Sequence, residues 1–182
     1  MASNPVTEML SRNSNFVKNH KPSPRMQDFA PINRASGKGV IVISCSDPRV
    51  PCEKILGFDD EVSPGKINPI VIRNAGGRVS DAVRTIGVMQ AIAAPGYIAV
   101  MHHTDCGMIH YPDKAVRKTL REISASEKSE FEGMEFGEIN GSIGDSVKED
   151  VAILSKSPFV RKGTQLVGLE YDVDTGKVRV VE

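Results

Sequence analysis

The stretch VISCSDPRVP, residues 42–51, decides how this chain is read. It closes a short apolar run, GVIVISC at 39–45. Such a run, rich in β-branched residues, reads as a buried strand. Cys45, Asp47 and Arg49 stand at its end, so a strand would deliver a reactive set to its own C-terminal edge. A second stretch, HHTDCG at 102–107, has the same form and follows another apolar run, YIAVMH at 97–102. Whether the two ends meet depends on the segments around them.

Between the two, Pro51 suits the first turn of a short helix over 52–57. PIVIR at 69–73 predicts a further strand. Ser80 is placed to cap a helix running to about residue 93, with Val83, Ile86, Met89 and Ile92 along it. Its near-complete apolarity predicts burial, and Pro95-Gly96 ends it. Beyond residue 107, a polar helix is expected within 112–126, then a charged, Gly-containing surface excursion over 127–141. Val147, Val151 and Leu154, at helical spacing, predict a helix over 143–156. Residues 165–181 read as two strands around the turn Asp174-Thr175-Gly176. Upstream, residues 6–19 form an amphipathic helix and KPSPR at 21–25 a loop that wraps rather than packs. The organisation is an N-terminal helix and arm over 1–38, then a single α/β domain over 39–182. No internal repeat or low-complexity segment interrupts it.

Strands alternating with helices predict a mainly parallel sheet with helices on its faces. In such sheets ligands collect beyond the carboxyl ends of the strands. Cys45, His103 and Cys106 therefore share one edge, and neighbouring strands lie only ~5 Å apart. Two thiolates and an imidazole form a borderline-soft set that suits zinc. Three protein ligands leave the fourth tetrahedral position for water or substrate, the arrangement of catalytic zinc. A buried Cys or a hydrogen-bonded His taken alone is more often structural. Two such strand ends together shift the balance to a metal.

Bulk properties narrow the partners. The 182 residues suffice for one domain with a real core. Lys plus Arg number 23, as do Asp plus Glu. A zero net charge lacks the footprint of a nucleic-acid binder and gives no reason to expect an anionic membrane surface. No run approaches ~20 apolar residues, so no transmembrane helix is expected. The polar N-terminus lacks an apolar signal core. Its Ser/Asn-rich composition resembles a mitochondrial leader only weakly, because Glu8 interrupts it and no Arg-rich helix is evident. Three scattered cysteines make no disulfide framework. A reducing, cytoplasmic setting is the simplest expectation.

The blocks C-S-D-P-R at 45–49, IRNAGG at 72–77 and HHTDCG at 102–107 together resemble the β-class carbonic anhydrases, over about residues 39–107. The short chain and C-terminal hairpin resemble the compact subgroup of that family. The resemblance implies an α/β fold around a four- or five-stranded sheet, with a homodimer as the basic unit. It implies Zn2+ on Cys45, His103 and Cys106, and a catalytic pair, Asp47 and Arg49. The implied reaction is reversible hydration of CO2 to bicarbonate and a proton through zinc-bound hydroxide. Asp47, kept ionised by Arg49, would orient that hydroxide, and the planar guanidinium fork suits a bidentate carboxylate. In some members the aspartate itself ligates zinc. Related proteins of the same fold hydrolyse carbonyl sulfide or carbon disulfide, and the ligand motifs do not separate the two activities. A non-catalytic zinc-binding or redox-sensing protein is a third reading, disfavoured by the intact Asp47–Arg49 pair.

One position departs from the family. Pro48 stands where a small residue is usual, removing an N–H and biasing Asp47 towards extended backbone. Among other residues, Gly76 and Gly77 are expected to let backbone approach the site, and Gly107 to turn its N–H towards it. Asp105 reads equally as an acceptor orienting a ligand or as a solvated side chain. Cys52 reads as buried structure. His102 and His110 read as ordinary hydrogen-bonded or surface histidines rather than proton relays. An exposed sheet edge and the N-terminal arm predict at least a homodimer.

Overall fold

The computed structural model describes residues 4–58, 69–124 and 130–182. Five strands form one sheet in the order β2-β1-β3-β4-β5. They are β1 (Val40–Cys45), β2 (Ile70–Asn74), β3 (Tyr97–His103), β4 (Gln165–Tyr171) and β5 (Val178–Val181). The first four run parallel, and only the β4–β5 pair is antiparallel. The turn between β4 and β5 closes where the Gly176 N–H donates to Asp172 O, at a left-handed φ of 72°. Glycine adopts that conformation without a steric penalty.

The pleat sorts the core into two layers. Ile41, Ile43, Ile98 and Val100 face the long helices α4 (Val79–Ile92) and α7 (Ile143–Lys156). Val42, Met101 and Tyr171 face the opposite side, where the short helix α3 (Cys52–Ile55) contributes Cys52 and Ile55. Helices therefore lie on both faces, unequally. Ile41, Ile43 and Ile98 are wholly buried, and each fully buried aliphatic side chain contributes about 1.5–3 kcal/mol.

Helix α4 departs from its sequence reading in two ways. Its N-cap is Arg78, not Ser80, and makes no side-chain capping bond. The orphan N–H of Val79 instead donates to Asp150 Oδ2 on α7, at 2.9 Å. The helix is also buried along one stripe only, Val79, Ala82, Ile86 and Gln90, while Ile92 is half exposed. The stripe follows the i, i+3, i+7, i+11 geometry of a helix lying on a sheet. Composition alone does not reveal which face is turned inward.

Helix α7 matches its expected bounds and starts in a capping box between Ser142 and Asp145. A polar helix, α6 (Asp113–Ile123), lies within the expected range, preceded by a short helix not foreseen, α5 (Gly107–His110). The expected excursion over 127–141 lies partly outside the described residues. Its described part is anchored rather than purely superficial, since Phe131 and Ile139 are buried.

The arm holds two helices, not one. Helix α1 (Pro5–Val17) is capped by Asn4, whose side chain accepts from the Val6 N–H. After the Pro-rich loop comes α2 (Met26–Ser36), ended by a left-handed Gly37. Pro31 inside α2 hid it from the sequence reading, because proline removes a helical donor and usually breaks a helix interior. No residue of α1 is buried. Val6, Met9, Leu10, Phe16 and Val17 are 59–64 % exposed.

Candidate metal centre

The adjacency of β1 and β3 brings the two reactive strand ends together. Ser44 pairs with Met101, so Cys45 ends its strand beside the strand that ends at His103. Cys106 follows three residues later, as the N-cap of α5. The ligating atoms of Cys45, His103 and Cys106 all lie within 4.8 Å of one another, and all three residues are buried. They form the one such group of His, Cys, Asp or Glu among the described residues. Cys52 lies apart from it, fully buried in the core.

The donor set fits a metal ion. His103 Nδ1 donates to the Thr104 carbonyl at 2.8 Å, which fixes the tautomer and leaves the Nε2 lone pair free. That Nε2 is buried and has no hydrogen-bond partner. Buried polar atoms are rarely left so. Two thiols, Sγ to Sγ 4.0 Å apart, complete the set.

Without a cation, these groups load one another. The Cys106 thiol, aided by His103 and opposed by burial, draws the Cys45 thiol well below the usual thiol range. Cys106 is pushed up, because it would have to ionise beside Cys45 and in a buried place. Burial disfavours the His103 cation, but the neighbouring Cys45 thiolate outweighs it and the pKa rises. A bound divalent cation removes this conflict by stabilising both thiolates and a neutral imidazole.

Asp47 and Arg49 sit at the rim. Arg49 Nε donates to both carboxylate oxygens of Asp47, at 3.1 and 3.2 Å, and Nη2 adds a contact at 2.8 Å. This pairing draws the Asp47 carboxyl down to about 2. Asp47 Oδ2 lies 3.9 Å from His103 Nε2, so the carboxylate overlooks the metal position.

Pro48 does not disturb the pair. The Val50 N–H donates to Asp47 O at 3.0 Å, which makes 47–50 a β-turn with proline second, a favoured place. The Arg49 N–H donates to Asp47 Oδ1 at 2.8 Å, closing an Asx turn inside it. Neither bond needs the N–H that Pro48 lacks.

Behind the ligands stand residues that the sequence alone did not single out. Arg73, within the IRNAGG block, donates to the carbonyls of Cys45, Asp47 and Val50 and pins the 45–50 loop to β2. Its place in a quoted motif was the available signal. Asp150 had none: it is 1 % exposed and lies 3.2 Å from both Arg78 and His102.

Gly77 behaves as expected of a close backbone approach. A Cβ there would meet Cys45 N and Ser44 C at 3.0 Å, and its φ is 70°. Gly107 opens α5, and nothing lies within 4 Å of its Cβ position. His102 is an ordinary buried hydrogen-bonder, held between Ser146 Oγ at 2.8 Å and Gly77 O at 3.2 Å. Asp105 takes contacts from Arg49 and from the exposed His110.

The comparisons with known proteins agree with this geometry. Residues 40–178 match the family model described as carbonic anhydrase. Beta-carbonic anhydrase 1 of Mycobacterium tuberculosis is 28% identical over 157 residues, which cover 83% of this chain and 86% of that protein. Carbon disulfide hydrolase of an Acidianus species is 27% identical over 179 residues, covering 85% of this chain and 84% of that protein. The crystal structure of carbonic anhydrase from Streptococcus mutans superposes with a TM-score of 0.78 at 28% identity, over all of both chains. No helix among the described residues is long and apolar enough to cross a membrane. With that match spanning most of its length and a five-stranded α/β sheet to carry it, the chain belongs to the β class of the carbonic anhydrase family.

Proposed function

We propose that the protein interconverts carbon dioxide and bicarbonate, with zinc held by Cys45, His103 and Cys106. The observation that carries this reading is the Asp47–Arg49 pair 3.9 Å from the free His103 Nε2. A purely structural site has no use for a carboxylate poised at its rim. Bound zinc would supply a Lewis acid that brings the pKa of a water from 15.7 towards ~7. Asp47 stays ionised down to about pH 2 and can only accept a hydrogen bond, so it orients the attacking oxygen towards the carbon. Arg49 holds both oxygens of Asp47 along one edge of its guanidinium and keeps it from turning inward. The buried aliphatic wall of Ile139, Ile143 and Val147 behind the thiols keeps bulk water from that side.

The carbon disulfide hydrolase relatives, at similar identity, support a second reading on the same residues. We further infer a homodimer or higher homo-oligomer, because the apolar stripe of α1 has nothing to cover it within the described chain. Three free, buried thiols suit a reducing compartment such as the cytoplasm.

Stopped-flow CO2 hydration by zinc-loaded protein, run beside sulfide release from carbonyl sulfide and carbon disulfide, tests these readings. Rapid CO2 turnover without sulfide release is the expected result. Sulfide release without CO2 turnover would transfer the protein to the hydrolases. Silence in both assays would leave a non-catalytic zinc or redox protein.

A further inference from the structure

Arg49 does more than face Asp47. Its Nη2 also donates to the Asp105 carbonyl at 2.9 Å, and its Nη1 to Asp105 Oδ2 at 2.7 Å. The guanidinium is thus clamped along two edges, by Asp47 on one and Asp105 on the other. The second edge matters because the Arg49 side chain is 49 % exposed. A long, half-exposed side chain with a single partner samples many rotamers, and exposed ion pairs are weak singly.

Asp105 needs an anchor of its own. Its side chain is 55 % exposed, and its backbone sits at a φ of 53°, the left-handed region that non-glycine residues avoid. Its second oxygen, Oδ1, contacts His110 Nε2 at 2.7 Å. His110 is the last residue of α5, the helix that begins beside Cys106. One turn of helix therefore carries both Cys106, at its N-cap, and the group that aims Asp105 at Arg49.

We propose that Asp105 and His110 are positioning residues, a two-member brace that holds Arg49, and through it Asp47, in register with the metal position. The brace rests on the carbon dioxide reading for its catalytic meaning, but its geometry stands apart from any substrate. Asp105 acts directly on the guanidinium. His110 acts one step further out, by stopping Asp105 from rotating into solvent.

Zinc-loaded Asp105→Asn, His110→Ala and His110→Gln test this. Asparagine tolerates left-handed backbone, so Asp105→Asn keeps the fold. The expected result is a drop in kcat of roughly 10-fold for Asp105→Asn and about 3-fold for His110→Ala, with KM for CO2 unchanged, since positioning is lost and not binding. His110→Gln, whose amide can still donate to Asp105, recovers most of the His110→Ala loss. Asp105→Asn combined with His110→Ala is no worse than Asp105→Asn alone, because both act through one contact. All variants keep zinc and the wild-type Tm. A second readout needs no turnover: the Nε–H resonance of Arg49 in 15N-arginine-labelled protein should shift and exchange faster with water in Asp105→Asn and His110→Ala. Wild-type kcat in zinc-replete Asp105→Asn overturns the proposal. If the wild-type protein proves inactive on CO2, the carbon dioxide reading fails, and an unmoved Arg49 resonance in Asp105→Asn then overturns the brace as well.

Discussion

The proposed reaction places two demands on Asp47: it must stay charged and it must point one way. Arg49 meets both, by drawing the carboxyl from its ordinary 3.8 to about 2 and by gripping both oxygens. Asp47→Asn places a donor where an acceptor is required, so CO2 turnover should fall on the order of 10²-fold with zinc retained. Arg49→Ala should act in the same direction, and the double variant should be little worse than either. Stopped-flow rates with elemental analysis of the same samples check this. The linked pH effect has a definite sign. A depressed carboxyl pKa contributes stability that is complete above about pH 4 and fades as pH falls towards 2. Urea midpoints of wild type and Asp47→Asn should therefore converge across that window. The cysteines divide just as sharply. Cys45→Ser should lose zinc, whereas Cys52→Ser should keep it, because Cys52 packs against Val42 and Met101 instead of joining the ligands. Equal zinc loss in both would mean that the ligand assignment is wrong.

At the scale of elements, the site is a product of strand order. β1 and β3 are neighbours, so a loop after each meets the other, and the turn at 75–77 after β2 closes over them. Gly77→Ala tests that closure. A side chain there combines a left-handed φ with a 3.0 Å approach to the Cys45 backbone N. A cost of ~1–3 kcal/mol is expected from the backbone conformation, with weakened zinc binding. Urea denaturation and metal competition would measure the two effects. These elements differ in how far the sequence discloses them. Apolar runs ending in Cys45 and His102 disclosed the strands, and with them the meeting of the ligands. Val147, Val151 and Leu154 at helical spacing disclosed α7, and the structure adds the capping box of Ser142 and Asp145 at its start. The cap of α4 was not legible, because the acceptor for Val79 comes from Asp150, on another helix. Helix α2 was hidden by Pro31. Long-range partners leave no local pattern, and neither does the choice of which side of an apolar helix is buried.

The whole molecule is unevenly covered. Two long helices shield one face of the sheet, while α1 extends with five large apolar side chains in solvent. Monomeric proteins seldom leave such a stripe open. Full-length protein is expected to elute and scatter light as at least a dimer at micromolar concentration. Removing residues 1–19 should shift it towards a monomer while the sheet persists by circular dichroism. A monomeric mass for the full chain would sink the inference that the arm grips a neighbour. Strand order has one more consequence, and it concerns time. β1 lies between β2 and β3, yet β3 is made last of the three. On a ribosome adding ~5–20 residues per second, about 58 residues separate the birth of Cys45 from that of His103, an interval of roughly 3–12 s. Throughout it, the nascent chain carries a naked thiol and a strand with one edge unfilled. The metal can settle only when the later ligands emerge, so its capture marks the completion of the sheet's centre and would serve as a clock for folding during synthesis.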